Sequence, residues 1–172
     1  MTALFQKIRD LCLLSAGPQD MPFSTGLVKG LLLVYALIQI IGWLMSVDIE
    51  IAIFATGLDA AVLFIFVYIT LRAFQKHTRF VQTMVSFLAV GSVFQFFELP
   101  LMYVVEQARD NEAPNADIGL LLVALYSWSL AVFSRIFQQT LDIRMLSAVV
   151  LTLCYVLITL MAIQLAFPNI GQ

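Results

Sequence analysis

Apolar residues in this chain do not alternate with polar ones at the period of a strand. Nor do they stop after the three or four turns of an ordinary helix. Five stretches, residues 27–46, 51–72, 80–105, 118–137 and 146–167, are apolar almost throughout. At about 1.5 Å per helical residue each is long enough to cross about 30 Å of hydrocarbon. In lipid such a stretch has to be helical, because every backbone N–H and C=O must find its partner within the segment. The polar breaks between them, 47–50, 73–79, 106–117 and 138–145, are short. The pattern predicts an all-α polytopic membrane protein with five transmembrane helices. Without a linker, an internal repeat or a low-complexity tract, it also predicts a single membrane domain over residues 1–172.

The segment before the first stretch has a different period. Leu4, Phe5, Ile8, Leu11, Cys12 and Ser15 fall at helical spacing, with Lys7 and Asp10 on the opposite face. Residues 3–16 therefore read as an amphipathic helix lying at the membrane interface, stopped by Gly17-Pro18. The apolar run 11–16 is too short for the core of a signal peptide and ends without a cleavage-type pattern. Ser24 or Thr25 is placed to cap the first span.

Composition sharpens this reading. The chain is 62% hydrophobic and 12% charged, where soluble domains run about 45–50% and about 25%. Mean hydropathy is +0.97. A soluble catalytic domain has no room beside five spans. The charges are sorted by side: Lys7, Arg9, Lys29, Arg72, Lys76, Arg79, Arg135 and Arg144 fall at one end of the spans, and Arg109 alone at the other. By the positive-inside rule the N-terminus is cytoplasmic and the C-terminus is outside. Asp48, Glu50, Glu106, Asp110, Glu112 and Asp117 make the outer connections acidic. The short loops suit a bacterial cytoplasmic (inner) membrane.

The inventory of reactive groups is thin. One histidine, His77, in a basic loop, cannot supply paired haem ligands or a di-iron site, and is not placed as a protease base within the membrane. There is no P-loop, no CxxC pair and no Gly-rich dinucleotide turn. The sequence predicts no enzyme, no catalytic or metal-binding residues and no cofactor. Scattered cations make no basic patch, so no nucleic acid is expected. Cys12 and Cys154 read as packing residues, not as a disulfide.

Inside the spans, small and polar residues form stripes at i, i+4, i+7 spacing. These are Tyr35, Gln39, Gly42 and Ser46; Ala52, Ala55, Thr56 and Asp59; Gly91, Gln95, Glu98 and Met102; Ala124, Ser127, Ala131 and Ser134; and Ala148, Thr152, Tyr155, Thr159, Ala162 and Ala166. In lipid, helices approach one another on such faces. Two acids, Asp59 and Glu98, lie within spans, where insertion of an ionisable side chain costs roughly 2.5–3.5 kcal/mol at mid-bilayer. Taking spans two and three as an antiparallel hairpin puts both acids in the outer half, with Gln39 and Gln95 nearby. Pro100 removes a helix hydrogen bond beside Glu98 and is expected to kink the span. Three readings of this polar cluster stand open. It is a polar cavity or proton-coupled site, a buried hydrogen-bonded knot fixing helix register, or, for Glu98, a wet position near the outer interface.

Five spans, a cytoplasmic N-terminus and the stretch Leu14-Ser15-Ala16-Gly17-Pro18, followed by Phe23, Ser24 and Thr25, resemble the Yip1-domain membrane proteins. In that family a short motif ending in Gly-Pro precedes the first span. The Asp and Tyr that usually stand before Gly-Pro are absent here, as is a Gly-Tyr pair in span three. Eukaryotic members act with small GTPases in vesicle traffic. The resemblance implies a five-span membrane protein. Together with the residue reading, it leads to the expectation of an accessory, scaffold or membrane-organising protein. Such a protein works through helix–helix contacts, with the lipid bilayer and a membrane-protein partner or a second copy as its partners. The rival expectation is a small proton- or cation-coupled transporter centred on Asp59 and Glu98.

Overall fold

The computed structural model describes residues 2–110 and 116–168. Among these it holds six α-helices and no strand: α1 (Thr2–Cys12), α2 (Thr25–Trp43), α3 (Ile49–Ala73), α4 (Phe80–Asp110), α5 (Ala116–Leu141) and α6 (Met145–Ala166). Helices α2 to α6 are each long and apolar enough to cross a membrane, as the hydropathy pattern requires. The described chain therefore has the build of an integral membrane protein.

The helix ends follow local chemistry. Ser24 caps α2, its hydroxyl accepting from the Leu27 amide at 3.3 Å, which satisfies one of the free amides of the first turn. Glu50 in the first turn of α3 and Arg72 in its last complement the helix dipole. Helix α1 ends at Cys12, four residues earlier than its apolar period suggests. Leu14 turns left-handed (φ 61°), and the amides of Ser15 and Ala16 both return to the carbonyl of Asp10. This is a closing motif for the freed carbonyls of the last turn. The chain then makes a short 3-10 turn over Pro18–Asp20, where the Gly17 amide donates to Asp20 Oδ2 at 2.9 Å. A side chain at Gly17 would meet Gln139 Oε1, 2.2 Å from the position of its Cβ, and the end of Gln19, so both glutamines would have to turn aside to admit one. Helix α4 runs on through Pro100. At 31 residues it is about 46 Å long, more than a bilayer core needs.

The five long helices close a ring in the order α2, α4, α5, α6, α3, because α4 packs most extensively against α2 and then against α5. Consecutive helices α3 and α4 touch only lightly across it. The hairpin expected of spans two and three is thus not the main contact of either, and α2 and α5 flank α4 instead.

Packing is uneven along the ring. The buried residues of α4 (Thr83–Ser92), α5 (Val132–Leu141) and α6 (Ala148–Tyr155) all lie in the halves toward the basic end, where α1 and the basic connections sit. Ten consecutive residues of α4, Thr83 to Ser92, are buried on every face. A helix apolar all round is one surrounded by protein or lipid, and here protein surrounds it. Leu11 of α1 and Met21 join this core at 2% exposure, so α1 is seated on α4 and α5. Lys7 Nζ donates to the Asp20 carbonyl at 2.6 Å and Gln82 to the Met21 carbonyl at 3.2 Å. Phe5, by contrast, is 73% exposed. Burial pushes the Cys12 thiol up from its ordinary value. Toward the other end, among α4, α5 and α6 no residue whose burial is described is buried.

At the basic end the connections are pinned by charge. Lys76 pairs with Asp142 at 2.6 Å. Arg79 donates to the carbonyls of Gln139 and Thr140 at 3.3 and 3.2 Å, covering carbonyls that the end of α5 leaves free. The Lys76 ammonium holds the Asp142 carboxyl below its ordinary value, with Arg79 adding to it.

Candidate functional site

Asp59 and Glu98 sit in two separate tyrosine pairs. Asp59, 5% exposed on α3, accepts a 2.5 Å hydrogen bond from the Tyr35 hydroxyl of α2. Glu98 on α4 accepts from the Tyr126 hydroxyl of α5. Each acid therefore ties two neighbouring helices of the ring, α2 to α3 and α4 to α5. A phenol is an apt partner in this setting, since it donates one proton and keeps an apolar body.

Around the first pair stand further polar side chains of the spans. Gln39 faces the Asp59 carboxylate, and Gln95 and Tyr155 face the Tyr35 hydroxyl. Gln39 Oε1, Gln95 Oε1, Thr56 Oγ1 and Thr159 Oγ1 are buried without a protein hydrogen-bond partner. Ser134 and Thr152 join α5 to α6 at 3.1 Å. Gly91 lets α4 approach Tyr35 closely: a Cβ there would lie 2.9 Å from the tyrosine ring.

Two spaces adjoin these groups. One, of about 230 Å³, has walls from all five long helices, among them Tyr35, Leu63, Gln95, Glu98, Tyr126 and Tyr155. Toward the basic end a run of packed rings closes it, Phe87 on Phe133 (5.3 Å) and Phe137 (4.8 Å), and Phe66 on Phe137 (5.9 Å) and Tyr155 (5.6 Å). The other, of about 240 Å³, is an open cleft between α2 and α4, lined by Gln39, Gly42, Trp43, Ser46, Gln95 and Glu98 with three apolar neighbours. Gln95 and Glu98 form the wall common to both.

The sequence singled out Asp59, Glu98, Gln39 and Gln95 as one cluster. Gln39 and Gln95 come to Asp59 and its tyrosine, while Gln95 and Glu98 share the cavity wall. Tyr126 was not foreseen as a site residue, because it stands beside the small-residue stripe of its helix instead of on it. Its depth was a usable signal: the ninth residue of the apolar run 118–137, it lies near the level of Glu98, seven from the end of the apolar run in α4. No group of three His, Cys, Asp or Glu that would hold a metal ion occurs among the described residues.

Comparison with family models, with curated proteins and with solved structures finds no match.

Proposed function

We propose that this is a non-enzymatic accessory or organising protein of a bacterial cytoplasmic membrane, with its N-terminus inside and its C-terminus outside. In this reading it acts through helix–helix contacts with a membrane-protein partner or a second copy. The observation that carries it is the small-residue stripe of α5. Ser134 is buried against Thr152, but the same stripe continues through Ser127 and Ala124, which are exposed. Small residues allow close approach of another helix in lipid. The two acid–tyrosine pairs fit this role, since each holds a pair of helices in register. In the same reading α1 rests its Phe5 face at the inner interface, and the overall plan is Yip1-like. Affinity capture from native membranes in mild detergent tests the proposal. A stoichiometric partner that Ser127→Leu releases supports it; a protein recovered alone and monomeric in both forms overturns it.

A second reading, a small proton- or cation-coupled transporter, is favoured by the polar cavity to which all five long helices contribute. It requires flux in proteoliposomes that Glu98→Gln or Asp59→Asn abolishes in folded protein.

A further inference from the structure

We propose that the cleft between α2 and α4 binds a small organic ammonium ion, one that carries N–H donors on a short apolar body. The polar walls of the cleft are rich in acceptors. Glu98 uses one of its carboxylate lone pairs for Tyr126 and has others free, while the side chains of Gln39 and Gln95 form part of the wall, and their Oε1 atoms, which receive no donor from the protein, reach the cleft by a turn of the amide. A primary ammonium carries three donors and no acceptor, the complement of this set, and its hydrogen bonds to a carboxylate are of the strong, charge-assisted kind. No lysine or arginine lines the cleft, so the carboxylate has no internal cation.

The remaining walls select the body of the ligand. Trp43 offers a ring, the best aromatic face for a cation, and Ile38, Leu99 and Met102 are apolar. A bare metal ion suits these walls poorly, and no metal-type ligand cluster occurs among the described residues. A quaternary ammonium satisfies the charge and leaves both amide oxygens unpaired. The volume, about 240 Å³, falls below the roughly 300–1,000 Å³ of drug-sized sites, so the body is a short alkyl chain or a single ring. This inference is independent of both functional readings, because a protein that binds an amine need not move it or pass it to a partner.

The chain has two tryptophans, so Trp128→Phe leaves Trp43 as the sole reporter on the full-length protein in nanodiscs. Phenethylammonium chloride is titrated, with tetramethylammonium chloride, sodium chloride and 2-phenylethanol as parallel arms. Trp43 fluorescence is expected to change saturably with phenethylammonium alone. In this background Glu98→Gln should weaken the affinity at least tenfold. Gln95→Leu should also weaken it at least tenfold while its melting temperature holds or rises, a combination that a merely structural role for Gln95 does not produce. The proposal is overturned by no saturable change, by an equal response to any of the three parallel arms, or by unaltered affinity in Gln95→Leu. That last variant decides the matter if Glu98→Gln fails to fold. None of these outcomes alters partner capture or flux, so failure here is distinguishable from failure of either functional reading.

Discussion

The Tyr35 hydroxyl donates a 2.5 Å hydrogen bond to Asp59 across the α2–α3 interface, at a position where the carboxylate is 5% exposed. Removing the donor strands the acceptor in an apolar bundle. Tyr35→Phe is expected to destabilise the protein by about 1–3 kcal/mol, the usual cost of a buried polar group left unpaired. Asp59→Asn, which lowers the burial cost and keeps an acceptor for Tyr35, should hold or raise stability. Melting curves in detergent check both. A Tyr35→Phe variant as stable as the parent removes this bond as a structural tie.

Gly91 and Gly57 make a controlled pair. A Cβ at Gly91 lies 2.9 Å from the Tyr35 ring, whereas one at Gly57 meets nothing within 4 Å. Gly91→Ala must displace the tyrosine that holds Asp59, so it should lower the melting temperature and behave non-additively with Tyr35→Phe. Gly57→Ala should be neutral or stabilise by up to about 1 kcal/mol, the helix propensity difference.

The N-terminal helix buries one face against the bundle and leaves the other exposed. Leu11 is 2% exposed and Phe5 73%. Leu11→Asp should unseat α1 from α4 and α5 and open the segment to protease, in micelles and in vesicles alike. If Phe5 rests on the bilayer as proposed, Phe5→Asp should do so only in vesicles. Equal protection of the parent and Phe5→Asp in vesicles shows that protein contacts alone hold the helix.

Asp142 gives a pH dependence of known sign. Its carboxyl titrates below its ordinary value because Lys76 favours the charged form. The pairing therefore contributes stability at pH above the ordinary aspartate range, and that contribution is lost as pH falls through the lowered value. As pH falls through and below the ordinary aspartate range, Asp142→Asn should flatten the acid limb of the stability curve. Asparagine tolerates the left-handed backbone there (φ 57°). The effect is small and screened by salt, since Asp142 is exposed and Lys76 only partly buried.

Topology is checked by reporter fusions. Those at His77 and Arg144 should read cytoplasmic, and those at Asn111 and Gln172, which lie outside the described residues, extracytoplasmic. A cytoplasmic reading at Gln172 overturns the proposed N-in, C-out arrangement.

Much of this protein was legible as depth along the membrane normal. Hydropathy alone located five spans, because uninterrupted apolar length is what a bilayer demands. Ser24 announced a helix start, and the stripe Ala52, Ala55, Thr56 and Asp59 marked a face that is buried throughout. What the sequence withheld was which helices stand side by side. In lipid every face of a span is apolar, and no hydrophobic drive distinguishes a neighbour from the solvent. The period that identifies the buried side of a soluble helix is therefore blurred. Chain order suggested that α3 and α4 pair and bring Asp59 beside Glu98. The tertiary structure instead set α4 between α2 and α5, giving Glu98 to Tyr126 and leaving Asp59 to Tyr35. Close approach at Gly91 and complementary side-chain shapes decided that arrangement, and these are properties of packed surfaces, not of any one segment.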